Sequence, residues 1–121
     1  MTIVFWIVAG LTAFAFLGAG GMKLARPIPA LREAGMGWVD DFSTPAVKLI
    51  ALAEVIGAIG LIVPPLTGIA PVLSPIAGVC LAIIMAGAVV VHLRRKETAA
   101  PAIVLTILPI AAAVLGFIVV A

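Results

Sequence analysis

Three stretches of this chain carry no charged side chain, and they govern what it can fold into. Residues 2–22, 55–91 and 98–121 contain no Asp, Glu, Lys or Arg. Each exceeds the roughly 18–20 apolar residues that cross the hydrocarbon core of a bilayer. The remaining sequence cannot offset them. The chain is 65% hydrophobic and 10% charged over 121 residues, whereas soluble domains are about half apolar and a quarter charged. Too little polar surface remains to keep a compact monomer in water. The expected class is an all-α membrane protein.

Proline and turn residues divide the runs into four spans within one domain, at about residues 3–25, 45–63, 75–93 and 100–120. Pro27 and Pro29 end the first, because proline lacks an N–H and clashes with the preceding turn. Thr44 followed by Pro45 reads as an N-cap and first helical position. Pro64-Pro65 stops the second span. Ser74-Pro75 repeats the cap-and-proline pattern for the third, and Pro109 predicts a kink in the fourth. Residues 27–43 mix Ile28, Leu31, Trp38 and Phe42 with Arg32, Glu33, Asp40 and Asp41. They read as a short interfacial segment on the headgroups, broken at Gly35 and Gly37. The first apolar run is too long for a signal peptide, and its positive charge follows it rather than precedes it. It reads as a retained helix.

Charge sets the expected orientation. All seven basic residues lie beside the first and third loops: Lys23, Arg26, Arg32 and Lys48, then Arg94, Arg95 and Lys96. The positive-inside rule puts those loops in the cytoplasm and both termini outside. Arg94, Arg95 and Lys96 are then topology determinants that touch anionic lipid, and Lys48 snorkels to the inner interface. Phe5, Trp6 and Trp38 read as interfacial aromatics. Small residues supply packing seams: Gly78, Ala82 and Ala86 in the third span, Ala53 and Gly57 in the second, Ala15 and Ala19 in the first, Ala112 and Gly116 in the fourth. Such seams build a bundle in lipid, and one of them could also join two copies as a homodimer.

Several chemistries find no support. Cys80 is the one cysteine, so there is no intramolecular disulfide and no CxxC motif. It reads as a small packing residue. One Cys and one His do not complete a zinc shell, and no metal is expected. A formal charge of +2 does not suggest nucleic-acid binding. No phosphate loop or nucleophile elbow is present, so no catalytic residue is nominated and independent catalysis is not expected.

Glu54 is the informative residue. It lies nine positions past Pro45, about 13 Å into the membrane by helical rise. An unpaired carboxylate there costs several kcal/mol, so it needs a proton, a partner or a wet cavity. Helical side chains lean toward the N-terminus. Glu54 on an outward-running helix therefore leans toward the cytoplasm, while Lys23 and His92 on inward-running helices lean toward the centre. The three are the candidate ligand- or proton-binding cluster. They could equally be a structural ion pair that fixes helix register.

Gly20-x-x-Lys23-Leu24, Met36-Gly37-Trp38-Val39, Glu54-Val55-Ile56-Gly57-Ala58-Ile59-Gly60-Leu61 and Met85-x-Gly87-Ala88-x-x-x-His92-x-Arg94-Arg95 occur in order across most of the chain. In this the chain resembles the DoxX-like family of small bacterial membrane proteins. The resemblance implies a four-helix protein of the bacterial cytoplasmic membrane. The family takes its name from a subunit associated with a quinone-reducing thiosulfate oxidoreductase. An accessory subunit of a membrane redox system is therefore implied, with a lipophilic, quinone-like small molecule and a membrane or redox protein as partners. Two alternatives stay open. One is a structural subunit of a larger complex. The other is a proton-coupled exporter using Glu54, because Ala53-Glu54-Val55-Ile56-Gly57 is similar to the glutamate motif of small multidrug resistance transporters. Those carry the glutamate in the first helix and line the pocket with Trp and Tyr, whereas here it is in the second and there is no Tyr.

Overall fold

A computed structural model describes residues 1–121. The elements are helices α1 (Thr2–Ala25) and α2 (Ile28–Glu33), a 3-10 turn (Gly37–Asp41), and helices α3 (Thr44–Thr67), α4 (Leu73–Arg94) and α5 (Ala100–Val119). There is no strand. α1, α3, α4 and α5 are each long and apolar enough to cross a membrane. They alternate in direction and close a ring in the order α1, α3, α4, α5, back to α1.

The distribution of side chains by size suits lipid rather than water. Large apolar residues such as Ile3, Phe14, Leu49, Ile83 and Ile118 point outward, whereas Ala9, Ala13, Ala51, Ala58, Ala112 and Ala113 are buried. Lipid tails solvate Leu and Ile as well as a core does, so association depends on close backbone approach at small residues. Gly57 faces the Leu81 side chain and Gly116 faces Pro75. A Cβ on Gly78 would stand 2.9 Å from the Pro109 carbonyl oxygen on α5. The seam in α4 is shorter than its spacing suggested. Gly78 is buried, but Ala82 is half-buried beside a groove between α4 and α5, and Ala86 is exposed. A straight i, i+4, i+8 row drifts around the helix, so its far end leaves the contact.

Helix ends differ from expectation for identifiable reasons. Ser43, not Thr44, caps α3, and its Oγ accepts from the Ala46 N–H at 3.3 Å. Pro64 and Pro65 do not stop α3, which continues to Thr67 and ends at Gly68 in the left-handed region, φ 76°. Proline removes one N–H, so Pro65 leaves the Leu61 carbonyl without its i+4 donor. Ser74 supplies the missing donor, with Oγ 2.7 Å from Leu61 O in a buried contact. Ser74 is thus not the cap of α4, which starts at Leu73 without a side-chain cap. α5 runs through the buried Pro109. Phe5 is not an interfacial aromatic either. It is fully buried, edge-on to Trp6 at 5.2 Å and against Gly116.

The segment between the first two spans is docked onto the charged end of the bundle. Leu31, Val39 and Val47 form a small buried cluster that Met22, Ile28, Met36 and Trp38 flank. Gly35 at φ 95° reverses the chain between α2 and the 3-10 turn, a conformation that favours glycine. This cluster holds the turn over the ends of α1 and α3.

Candidate functional site

Glu54 faces inward because of its register. Val47, Ala51, Glu54, Ala58 and Leu61 are the buried face of α3, spaced by the three- and four-residue steps of one helical stripe. α1 approaches that stripe at Gly20, where a Cβ would stand 2.9 Å from the Ala51 carbonyl and 3.1 Å from Glu54 Cβ. Lys23 follows three residues later, on the same face of α1. The glycine brings the helices together and the lysine uses the proximity. Lys23 Nζ lies 2.7 Å from Glu54 Oε1, with the two side chains 12% and 2% exposed. The ammonium also sits 5.4 Å from the centre of the Trp38 ring, within cation–π range. Trp38 is held edge-on by Phe42 at 5.8 Å.

Lys48 is not a free snorkelling side chain. Its ammonium donates to the backbone carbonyls of Lys23 and Arg26 at the end of α1. Those carbonyls have no intrahelical donor, and a cation there also complements the helix dipole.

His92 does not join the Lys23–Glu54 pair. Its Nδ1 lies 3.1 Å from Glu97 Oε1, and Arg95 Nε donates to the same oxygen at 3.2 Å. His92 nevertheless lines the same cavity as Lys23 and Glu54, a space of about 480 Å³. Its walls come from all four spans and from the docked segment, with Trp38 and Met36 on one side and Met85 and Leu105 on another. Volumes of about 300–1,000 Å³ suit small-molecule ligands.

Of the three basic residues beyond His92, Arg94 and Lys96 are exposed and make no ion pair. Arg95 turns inward. Its Nη1 donates to Asp41 Oδ2 at 2.9 Å, and its guanidinium lies over Gly37, where a Cβ would stand 2.9 Å from Nη2. Asp40 and Asp41 are accordingly not a free acidic pair. Arg32 makes a forked contact with Asp40, Nη2 to Oδ1 at 2.6 Å and Nε to Oδ2 at 3.0 Å. The hydrogen bond from Arg32 holds the Asp40 carboxyl below its ordinary range, and Asp40 raises Arg32 in turn. The hydrogen bond to Asp41 likewise raises Arg95. Charged contacts thus tie the segment over the cavity to the loop after α4.

The second oxygen of the Glu54 carboxylate has no partner within the protein. Glu54 Oε2 is buried and accepts no hydrogen bond. A buried carboxylate oxygen left so costs about 1–3 kcal/mol or more, and such exceptions occur where a proton, water or ligand acts.

Sequence reasoning placed Lys23, Glu54 and His92 here but missed Trp38, Met36 and Glu97. Trp38 reads as a lipid-interface residue from sequence because nothing local distinguishes an aromatic on headgroups from one folded over a cavity. Glu97, five residues past His92, was visible as the last acidic residue beside a basic run. Its pairing depends on the turn after α4. No group of His, Cys, Asp and Glu side chains is arranged to hold a metal ion.

Neither a curated protein nor a solved structure matches the chain. The family comparison does match, over residues 7–118 and therefore through all four spans and every residue of the cavity. With four apolar helices around a polar centre, this chain is a multi-pass membrane protein that belongs to the DoxX-like family.

Proposed function

We propose that the protein binds a lipophilic, quinone-like small molecule as an accessory subunit of a membrane redox system. Lys23, Glu54 and His92 form the polar end of the site. The observation that carries this reading is a mostly apolar cavity of about 480 Å³ whose lining brings Lys23, Glu54 and His92 together. An apolar cavity with a few convergent polar groups is what a ligand with a hydrocarbon body and a polar head requires. Trp38 offers a flat aromatic wall, and Lys23 and His92 offer donors. The basic residues of the charged end orient the protein, with both termini outside and Arg94 and Lys96 against anionic lipid.

The test uses protein purified in mild detergent and extracted with organic solvent. The ultraviolet difference spectrum before and after borohydride reduction reports quinone. Near-stoichiometric quinone is expected in the wild type. Gly87→Leu should deplete it without lowering the melting temperature, because Gly87 lines the cavity and a Cβ there meets nothing within 4 Å. Quinone-free wild-type extracts that also take up no added quinone or hydroquinone would end the redox reading. Proton-driven export of hydrophobic cations from liposomes would then establish the exporter alternative.

A further inference from the structure

We infer that the cavity takes its ligand sideways from the membrane, through a gap between α3 and α4, and that this ligand is a lipid-dissolved molecule whose hydrocarbon tail lies in the gap while its head sits near Lys23 and His92. The inference rests on the reading of the cavity as a quinone-type site and adds the tail and the route of entry.

The gap follows from where α3 and α4 touch. Ala53, Gly57 and Gly60 share one stripe of α3, and Ala77, Leu81, Ile84 and Ala88 share the facing stripe of α4. Toward the uncharged end the two stripes meet. A Cβ on Gly57 would stand 2.7 Å from the Leu81 side chain, and one on Gly60 would stand 3.2 Å from Ala77 Cβ. Ser74 Oγ also reaches Leu61 O there, at 2.7 Å. Toward the charged end the stripes part. Ala53, one turn below Gly57, is exposed. Ile50, Ile84 and Ala88 are half-buried and line the cavity.

The cavity reaches the surface at the same place. Ile83 and Gly87 line it, yet both are exposed, Ile83 by 67%. They precede Arg94 by eleven and seven residues, about 16 and 10 Å by helical rise. With Arg94 at the headgroups, that depth is hydrocarbon. A Cβ on Gly87 would meet nothing within 4 Å, so no side chain covers α4 at the opening. A second opening, beside the exposed Gly35 and Pro101, lies at the charged end.

The polar lining fixes which way a ligand points. Lys23 and His92 stand in the last turns of α1 and α4, nearer the charged end than Gly87 and Ile83 are. A head placed there directs its tail along Gly87 and Ile83 and out among the lipid chains. Entry by this side keeps the tail in hydrocarbon throughout. Entry past Gly35 and Pro101 draws it through water, which is unfavourable in proportion to its apolar area.

The experiment uses the full chain in lipid nanodiscs and a benzoquinone whose decyl tail carries a diazirine at its far end. Irradiation fixes the tail to its neighbours, and peptide mass spectrometry locates the adducts. An excess of the untagged decyl quinone separates bound ligand from bulk lipid labelling. Adducts on Ile50, Ala53, Ile83 and Gly87 should be lost when the competitor is present. Ala53→Trp, which fills the gap without touching the cavity lining, should weaken the decyl quinone about tenfold or more. Tetramethylbenzoquinone, which has no tail, should bind this variant and the wild type alike, as read by isothermal titration calorimetry. Competitor-sensitive adducts confined to Met85 and Leu105 inside the cavity, or to Gly35 and Pro101 at the charged end, overturn the side route while leaving the quinone site standing. An unchanged ratio of the two affinities in Ala53→Trp does the same. The absence of any competitor-sensitive adduct, with no affinity for either quinone, overturns both.

Discussion

At the residue scale, the lysine–glutamate pair decides how the polar site is held. Lys23 and Glu54 come from different helices and meet at 2.7 Å almost out of contact with solvent. Glu54→Gln leaves a mostly buried ammonium without its counter-charge. Breaking a buried pair from one side costs about 3–5 kcal/mol, and the Trp38 face retains part of the interaction, so a loss near the lower end is expected. Lys23→Met combined with Glu54→Gln should recover much of it, since an unpaired partner is worse than none. The check is a double-mutant cycle on thermal stability in detergent. Strictly additive losses would mean that the contact contributes no coupling, and the pair would then not be what holds the polar site.

At the scale of elements, the helices depend on individual repairs and close approaches. The Ser74 hydroxyl answers the Leu61 carbonyl that Pro65 leaves open. Ser74→Ala removes a buried donor and should destabilise by about 1–3 kcal/mol. A melting temperature equal to wild type would show that the carbonyl finds another donor. The α4–α5 seam offers a sharper contrast. Gly78→Ala puts a Cβ 2.9 Å from a backbone oxygen and 3.1 Å from Ala113 Cβ, and neither neighbour can rotate away. Overpacking of this kind costs about 1–3 kcal/mol. Ala82→Leu, although on the same stripe, enters the groove beside Thr106 and Phe117 and should leave stability near wild type. If Ala82→Leu were the more damaging of the two, the seam would run along the stripe after all.

At the scale of the molecule, charge is confined to one end. All seven Lys and Arg residues and four of the five Asp and Glu residues sit in or near the α1–α3 and α4–α5 connections, Glu54 being the exception inside α3. Arg95 links those connections through Asp41. We predict that this end is cytoplasmic and that the C-terminal end of α5 faces outward. A phosphatase fused at the C-terminus should be active, and a fluorescent protein that matures only in the cytoplasm should be dark. The opposite pattern in correctly inserted protein would reverse the orientation and place the mouth of the cavity on the outer side.

The four spans were legible in the sequence because membrane insertion depends on the local sum of apolar transfer, and residues 2–22, 55–91 and 98–121 carry that sum without interruption. Glu54 was legible as exceptional for a related reason, since a carboxylate that borders such a run, nine positions past Pro45, needs compensation wherever it packs. Lys23 was legible as a partner because helical rise and opposed directions set its depth. Three features were decided only by the tertiary structure. Pro64-Pro65 did not end α3, because the donor that repairs it comes from Ser74, on the next helix. Trp38 left the lipid interface for the Lys23 ammonium, because Leu31 and Val39 dock its segment onto Val47. His92 turned to Glu97 instead of Glu54, because the turn after α4 brings a nearer carboxylate. Hydropathy and rise are properties of a segment by itself, whereas the choice among competing hydrogen-bond and packing partners is made only when segments distant in sequence meet.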